Sequence, residues 1–270
     1  MRVSKVNYHI HTLFSDGGAS MEDYVREAIS LKFDEIGFSD HLVILPNGEV
    51  GGESIRLSRL ESYVEKIGSL KKRYEGEISI RCGLEIDLFP ETENSMRRLL
   101  SEFEFDYLLC SVHRVDDFVF DLPSSLTLWN EMGEDQILET YRDYYSSLNL
   151  AIESGTFDVV AHPDIIKKFG FRPRGDITDE TEKTVGLISK MRMCVEVNAS
   201  GLRHPVGEIY PSPEFLRMCR ERGVSITLGT DAHRVEDLGR GFQDLIEYIR
   251  GVGYGEITLF EKRMRTRVSI

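Results

Sequence analysis

Two histidines one residue apart, His9 and His11, open the stretch "HIHTLFSDG", and Asp16 follows within it. Imidazole and carboxylate together suit zinc, iron or manganese, whereas calcium and magnesium favour all-oxygen shells. The same residue types recur along the chain in short apolar settings. His41 lies in "FSDH", Glu85 in "GLEID", His113 in "CSVH", His162 in "VVAHPD", and Asp231 with His233 in "GTDAH". These nine groups are too many for one tetrahedral ion. They imply two to three divalent transition-metal ions: zinc, iron or manganese. Clustered ions polarise an ester oxygen, bring the pKa of bound water toward neutrality and stabilise a leaving oxygen. The expected chemistry is hydrolysis of a phosphoester by a hydroxide held on the metals. No P-loop cysteine and no nucleophile elbow offers a side-chain nucleophile instead.

Such a site needs elements that bring distant residues to one rim. Seven apolar strand candidates occupy residues 5–12, 34–41, 78–87, 105–114, 157–164, 194–200 and 224–233. Helical patterns lie between them. Residues 20–33 begin with a serine cap and carry apolar residues at helical spacing; residues 91–103 and 212–223 behave likewise, the latter ending on a glycine. The stretch from Gly133 to Gly155 reads as one substantial helix. Alternating strands and helices without a domain-scale break predict one α/β domain over residues 1–270, barrel-like, with an open doubly wound sheet as the alternative. Residues 44–54 and 114–125 depart from the regular pattern, and residues 261–268 read as an alternating terminal strand.

On this reading each of these residues except Asp16 ends a strand, at the rim where barrel enzymes assemble their sites. Residues i and i+2 of a strand point the same way, so His9 and His11 can reach one ion, and Asp231 and His233 can serve neighbouring ions. Six of the seven histidines lie at such ends. Unrelated histidines have no reason to gather there. His204 is the exception and reads as a loop histidine.

The chain has 270 residues, a net charge of −13 and 29% charged residues, within the range of globular proteins. An acidic surface repels nucleic acid and anionic membranes. A small phosphorylated substrate remains compatible, because a metal or a basic pocket reverses the field locally. No apolar run is long enough to span a bilayer, and residues 1–12 lack the apolar core of a signal peptide. Four cysteines without a CxxC pair fit a reduced, cytoplasmic protein.

Taken together, "HIHTLFSDG", "FSDH", "GLEID", "SVH", "AHPD" and "GTDAH" resemble the polymerase-and-histidinol-phosphatase (PHP) family, in the family's order from residue 9 to 233. The resemblance implies a distorted (β/α)7 barrel with its site at the C-terminal rim of the strands, and three metal ions. By resemblance, His9, His11, Glu85 and Asp231 hold one ion. Glu85 bridges to a second, held also by His113 and His162. Asp16, His41 and His233 hold the third. The aspartate at position 16 is similar to the histidinol-phosphate phosphatase branch, as is the stretch "NASGLRHPVGEIYPSPEFL". That branch implies hydrolysis of L-histidinol phosphate in histidine biosynthesis. Arg203 in the stretch is a candidate phosphate clamp, since a guanidinium fork matches phosphate oxygens.

Other groups near the motifs are candidates too. Lys167, Lys168, Arg172 and Arg174 form a basic loop after His162, with Lys168 the preferred phosphate ligand by resemblance. Arg114, next to His113, is a further substrate-binding candidate. Asp164 reads as a helix cap or a partner to the ligands, leaning to the cap. Asp231 or His233 is assigned the proton for the leaving alkoxide. Two other functions stay open: a nuclease of the same family, and a metal-stabilised scaffold without catalysis.

Overall fold

The structure, a computed structural model, describes residues 4–270. The signal-peptide reading of residues 1–12 falls partly on residues 1–3, which lie outside the described residues. Among the described residues no helix is long and apolar enough to cross a membrane.

The chain opens with β1 (Val6–Asn7) and α1 (Met21–Ser30). Ser20 starts α1: its hydroxyl accepts from the Asp23 N–H at 3.3 Å, and the Asp23 carboxylate accepts from the Ser20 N–H at 3.1 Å. That reciprocal pair satisfies two otherwise orphaned backbone donors. Met21, Tyr24, Val25 and Ala28 then fall on the buried face of the helix. Next come β2 (Glu35–Phe38), β3 (His41–Val43), α2 (Leu60–Arg73), β4 (Ser79–Cys82), β5 (Glu85–Asp87), α3 (Glu93–Ser101) and β6 (Leu109–Ser111). A hairpin of β7 (Arg114–Val115) and β8 (Phe118–Val119) leads to α4 (Leu126–Glu131) and the long α5 (Glu134–Glu153). The second half contains β9 (Val159–Val160), α6 (Thr178–Lys190), β10 (Cys194–Asn198), α7 (Pro213–Glu221), β11 (Ser225–Gly229) and α8 (Phe242–Val252). It ends in the antiparallel hairpin β12 (Glu256–Glu261) and β13 (Met264–Ser269).

The helices anticipated at residues 20–33, 91–103, 133–155 and 212–223 are α1, α3, α5 and α7. The irregular stretch at 114–125 is the β7–β8 hairpin and its exit, and the alternating tail at 261–268 pairs as β13. The sheets differ from expectation. The strands make two parallel sheets, β1-β2-β4 and β11-β10-β9-β6-β5-β3, and their ladders close no barrel. Two of the seven sequence candidates are in fact two strands each: residues 34–41 split into β2 and β3, and residues 78–87 into β4 and β5, with each second half in the other sheet. The cause lies at Ser39 and Asp40. Ser39 accepts from the Ile10 N–H through its hydroxyl at 3.2 Å, and Asp40 is turned inward to bond Thr12 and Ser15. Those bonds draw the chain off the ladder for two residues. Gly83 follows the same offset, its N–H reaching Phe38 O at 2.9 Å, and the Glu85 N–H reaches Asp40 O at 3.2 Å. His41 and Glu85 consequently begin strands rather than end them.

The two sheets meet where β1 passes β11. The Tyr8 N–H donates to Leu228 O at 2.9 Å, and Ile10 forms an isolated parallel bridge with Ala232. Below this seam lies an aromatic cluster. Tyr8 stands edge-on to Tyr107 at 4.9 Å and to Phe260 at 5.7 Å. Such pairs contribute about 0.5–1.5 kcal/mol each beyond area burial. The Tyr107 hydroxyl donates to Tyr8 O, and the Phe260 N–H donates to the Tyr8 hydroxyl at 3.0 Å. The C-terminal hairpin thereby seals the end of the core opposite the histidines.

Candidate metal centre

Each ligand candidate rides on a backbone segment fixed by hydrogen bonds. After β1 the chain turns tightly, with the Gly17 N–H donating to Thr12 O at 3.0 Å. A Cβ on residue 17 would stand 2.2 Å from His11 O, so only glycine closes this turn. Buried Asp40 holds the turn from below, accepting from the Thr12 N–H at 2.7 Å and the Ser15 hydroxyl at 2.6 Å. Asp16 then projects toward His233, Oδ2 to Nε2 at 3.1 Å. Two other members sit in left-handed backbone, His162 at φ 24° and Asp231 at φ 49°. For residues with a Cβ that conformation costs of order 1–3 kcal/mol and persists only where the surroundings impose it.

Glu85, fully buried, is the hub. Its Oε2 lies 3.0 Å from His41 Nδ1, 3.1 Å from His9 Nε2 and 3.5 Å from His11 Nε2. Its Oε1 lies 2.8 Å from His162 Nε2 and 3.5 Å from His113 Nε2. Asp231 Oδ1 approaches His11 Nε2 at 3.2 Å and His233 Nδ1 at 3.4 Å. All nine residues anticipated as ligands therefore converge. They form four overlapping sets whose donor atoms fall within 4.8 Å of one another: His9–His11–Asp231, His9–Glu85–His162, His41–Glu85–His113 and His11–Asp16–His41–His233.

The donor set fits metal ions on a second count. His9 Nε2, both ring nitrogens of His11 and both oxygens of Glu85 are buried yet have no hydrogen-bond partner. Their neighbours are near, but not in hydrogen-bond geometry. Leaving buried polar atoms unmatched costs about 1–3 kcal/mol each. Cations shared among these donor sets would match such atoms.

Proton affinities set by the protein groups show the same demand. Burial opposes charge on His9, but Glu196, Glu85 and Asp231 outweigh it and raise its pKa well above the usual imidazole value. Asp87 and Glu85 likewise overcome burial at His113. His11 is driven down to about 3 by burial and by His233 and His41. Burial opposes the charge of Glu85 too, yet the histidines around it hold its carboxyl well below the usual range. The pocket thus presents fixed negative charge that protons or cations must balance, and metal uptake competes with protonation.

Three carboxylates that support this cluster were not singled out from the sequence. Glu196 Oε1 lies 2.7 Å from His9 Nδ1, and its Oε2 accepts the His162 N–H at 2.9 Å. Asp87 lies 2.8 Å from His113 Nδ1 and accepts from the Ser111 hydroxyl at 2.7 Å. Asp40 holds the His11–Gly17 turn, as described. Asp87 carried a signal, standing two residues after Glu85 on the same face of a strand. Glu196 carried another, an acid inside the apolar run "CVEVN". Such partners fix the tautomer and orientation of a ligand, and their loss typically weakens metal affinity 10–100-fold. Asp87→Asn is expected to weaken metal binding by about that factor with little loss of fold. Equilibrium dialysis against a metal buffer checks this, and an unchanged affinity would count against a supporting role for Asp87.

The basic candidates separate in space. Lys168 and Arg114 line a cavity of about 300 Å³ that also exposes His41, His113, Asp231 and His233. Lys167 turns away and is buried between Asp164 at 2.8 Å and Glu208 at 3.2 Å. Arg172 pairs with Glu208 and Arg174 with Glu134, both at the surface. Asp164 does not cap with its side chain: it stands at the start of the short turn Ile165–Lys167 without a cap hydrogen bond, and its carboxylate accepts at 2.7 Å the N–H of Ser212, the residue that itself caps α7. Arg203 donates to the carbonyls of Thr230 and Asp231 at 2.7 and 3.0 Å, and its buried Nη1 has no partner. His204 is half-buried, its pKa lowered to about 4 by burial and by Lys168.

Comparison with known proteins identifies the lineage. The PHP domain pattern matches residues 7–200. A Deinococcus radiodurans protein described as a probable histidinol-phosphatase is 30% identical, over 95% of this chain and 97% of that one. The Bacillus subtilis histidinol-phosphatase is 27% identical, over 91% of this chain and 99% of its own. Among solved structures, a histidinol phosphate phosphatase from Lactococcus lactis, complexed with zinc, L-histidinol and phosphate, has the same fold. Its TM-score is 0.79 at 20% identity, covering 98% of this chain and all of the other. With its motifs, its fold and a near-full-length relative in agreement, this chain belongs to the PHP domain family.

Proposed function

We propose that the chain is a metal-dependent phosphomonoesterase that hydrolyses L-histidinol phosphate to L-histidinol and phosphate, a step of histidine biosynthesis. The observation that carries this reading is the Glu85-centred ring of imidazoles, opening into a cavity walled by Lys168 and Arg114. The names of the full-length relatives point to the ester. We further read residues 1–270 as one working unit, and the two sheets as an opened form of the distorted seven-stranded barrel. The contact of β1 with β2 on one side and with β11 on the other supports this.

In this reading His9, His11, Glu85 and Asp231 hold one ion. Glu85 reaches a second with His113 and His162, and Asp16, His41 and His233 hold a third. Bound there, the ions would polarise phosphate oxygens and lower the pKa of water. The protein does the rest. Lys168 and Arg114 grip non-bridging phosphate oxygens from the cavity wall. Arg203 fixes the strained Asp231 turn through two carbonyls, and its unpartnered Nη1 is the atom it has left for phosphate. Asp231 or His233, at the cavity mouth, supplies the proton to the leaving alkoxide. With the acidic surface and a cavity of about 300 Å³, a small ester is favoured over a nucleic acid strand.

The test is kcat/KM for histidinol phosphate against p-nitrophenyl phosphate, glycerol phosphate and a short oligonucleotide. Histidinol phosphate is expected to lead by about 10²-fold or more, the range that specific polar contacts can supply. Parity with the generic esters would remove the substrate assignment and leave the phosphatase. A lead for the oligonucleotide would make the chain a nuclease.

A further inference from the structure

Lys168 Nζ stands 3.3 Å from Asp121 Oδ2, and the two side chains are 16% and 14% exposed. Both line the cavity above the Glu85 cluster. Lys168 comes from the turn after His162, and Asp121 from the segment that leaves the β7–β8 hairpin, so the pair bridges two separate loops. The other acids around this cavity are engaged or open to water. Asp16 faces His233 at 3.1 Å, Asp87 faces His113 at 2.8 Å, and Asp231 faces His11 at 3.2 Å. Glu53 is exposed on the loop after β3. Asp121 is therefore the sheltered carboxylate whose partner is itself placed to bind phosphate. Val119, Leu122 and Ile165 beside it lower the local dielectric and strengthen its interactions.

An entering phosphate ester competes with Asp121 for Lys168. If the ammonium moves to the phosphate, Asp121 is left as an unpaired, half-buried anion beside a second anion, which is strongly unfavourable. An ester whose alcohol carries a cation removes the conflict. The phosphate takes the place of Asp121 on Lys168, and the cation takes the place of Lys168 on Asp121. An ester of a neutral or anionic alcohol has nothing to offer the carboxylate. The geometry points to Asp121 as a specificity-determining residue: the Lys168–Asp121 pair exchanges partners with a phosphate monoester that bears a cationic group close to its ester carbon. This deepens the function proposed above and rests on its phosphatase chemistry, but not on the identity of the alcohol.

Two esters of nearly equal size, ethanolamine phosphate and 2-hydroxyethyl phosphate, isolate the charge. The metal-loaded full chain is expected to favour ethanolamine phosphate at least tenfold in kcat/KM. Asp121→Asn should bring that ratio near one, mainly through KM. Lys168→Met, which leaves Asp121 without its partner, should raise the ratio even though both rates fall. Asp117→Asn, on the same hairpin but exposed, should keep the wild-type ratio. A wild-type ratio near one overturns the inference, as does an Asp121→Asn ratio equal to wild type, or opposite shifts absent from the Lys168 variant. Should Asp121→Asn melt too early to assay, the Lys168→Met ratio decides alone. A preference for ethanolamine phosphate without any advantage for histidinol phosphate would sink the named substrate and keep the partner exchange. No hydrolysis of any monoester would sink both.

Discussion

Glu85→Ala is expected to empty the site. Wild-type protein purified without chelator should carry two to three equivalents of zinc, iron or manganese, by elemental analysis. The two oxygens of Glu85 serve two sides of the cluster, Oε2 toward His9, His11 and His41, and Oε1 toward His113 and His162. Its removal takes a shared anion from two ion positions and leaves five imidazoles facing one another. Asp16 is 29% exposed and belongs to one donor set, 3.1 Å from His233 and farther, 3.8 and 4.0 Å, from His11 and His41. Asp16→Ala should therefore lose at most one equivalent, while Glu85→Ala loses most of the metal. Several kcal/mol of charge stabilisation disappear with the ions, so kcat should fall by about 10³-fold or more. Wild-type metal content in Glu85→Ala would refute the hub role outright.

The second large effect is expected from one methyl group. At Gly229, the last residue of β11, an added Cβ would stand 1.8 Å from Glu196 Oε1 and 2.8 Å from the Cβ of His9. The obstructing atom is no free side-chain tip. Glu196 is buried and tied at both oxygens, to His9 Nδ1 and to the His162 N–H. Gly229→Ala must push this carboxylate and turn two ligands with it. Overpacking of this kind costs about 1–3 kcal/mol. For a chain of this size that corresponds to a Tm lower by several degrees, at about 2–4 °C per kcal/mol. Metal affinity should drop together with it, by about tenfold or more. Gly251→Ala is the contrast. Gly251 lies in α8 with open space around its Cα, so alanine there should stabilise by roughly 0.5–1 kcal/mol. Calorimetry of both metal-loaded variants separates the two signs. Equal melting temperatures would show that Glu196 can move freely.

The legible part of this molecule is the part written in rare residue types. Histidines at positions 9, 11, 41, 113, 162 and 233 declare themselves because imidazole is scarce and each sits at the boundary of an apolar run. The helices from Ser20, Ser212 and Gly133 were legible through caps and period. The breaks between β2 and β3 and between β4 and β5 were not, because the apolar pattern continues across them. What bends the chain there is a set of long-range bonds, Ser39 to Ile10 and Asp40 to Thr12 and Ser15, which local periodicity does not encode. The same holds for Glu196, whose partners lie 187 and 34 residues away. Arg203 shows a second task that its type did not announce: two of its bonds go to backbone carbonyls 27 and 28 residues away.

The seam between β1 and β11 has a consequence in time. Asp16 and His233 meet at 3.1 Å although 217 residues separate them. A ribosome adds about 5–20 residues per second, so the first ligands leave it some 10–45 s before the last exist. Throughout that interval His9 and His11 have no Asp231 to face, and the aromatic floor under them awaits Phe260. The full donor set therefore exists only once residue 233 has been made, and until then His9 and His11 offer an ion only part of a site.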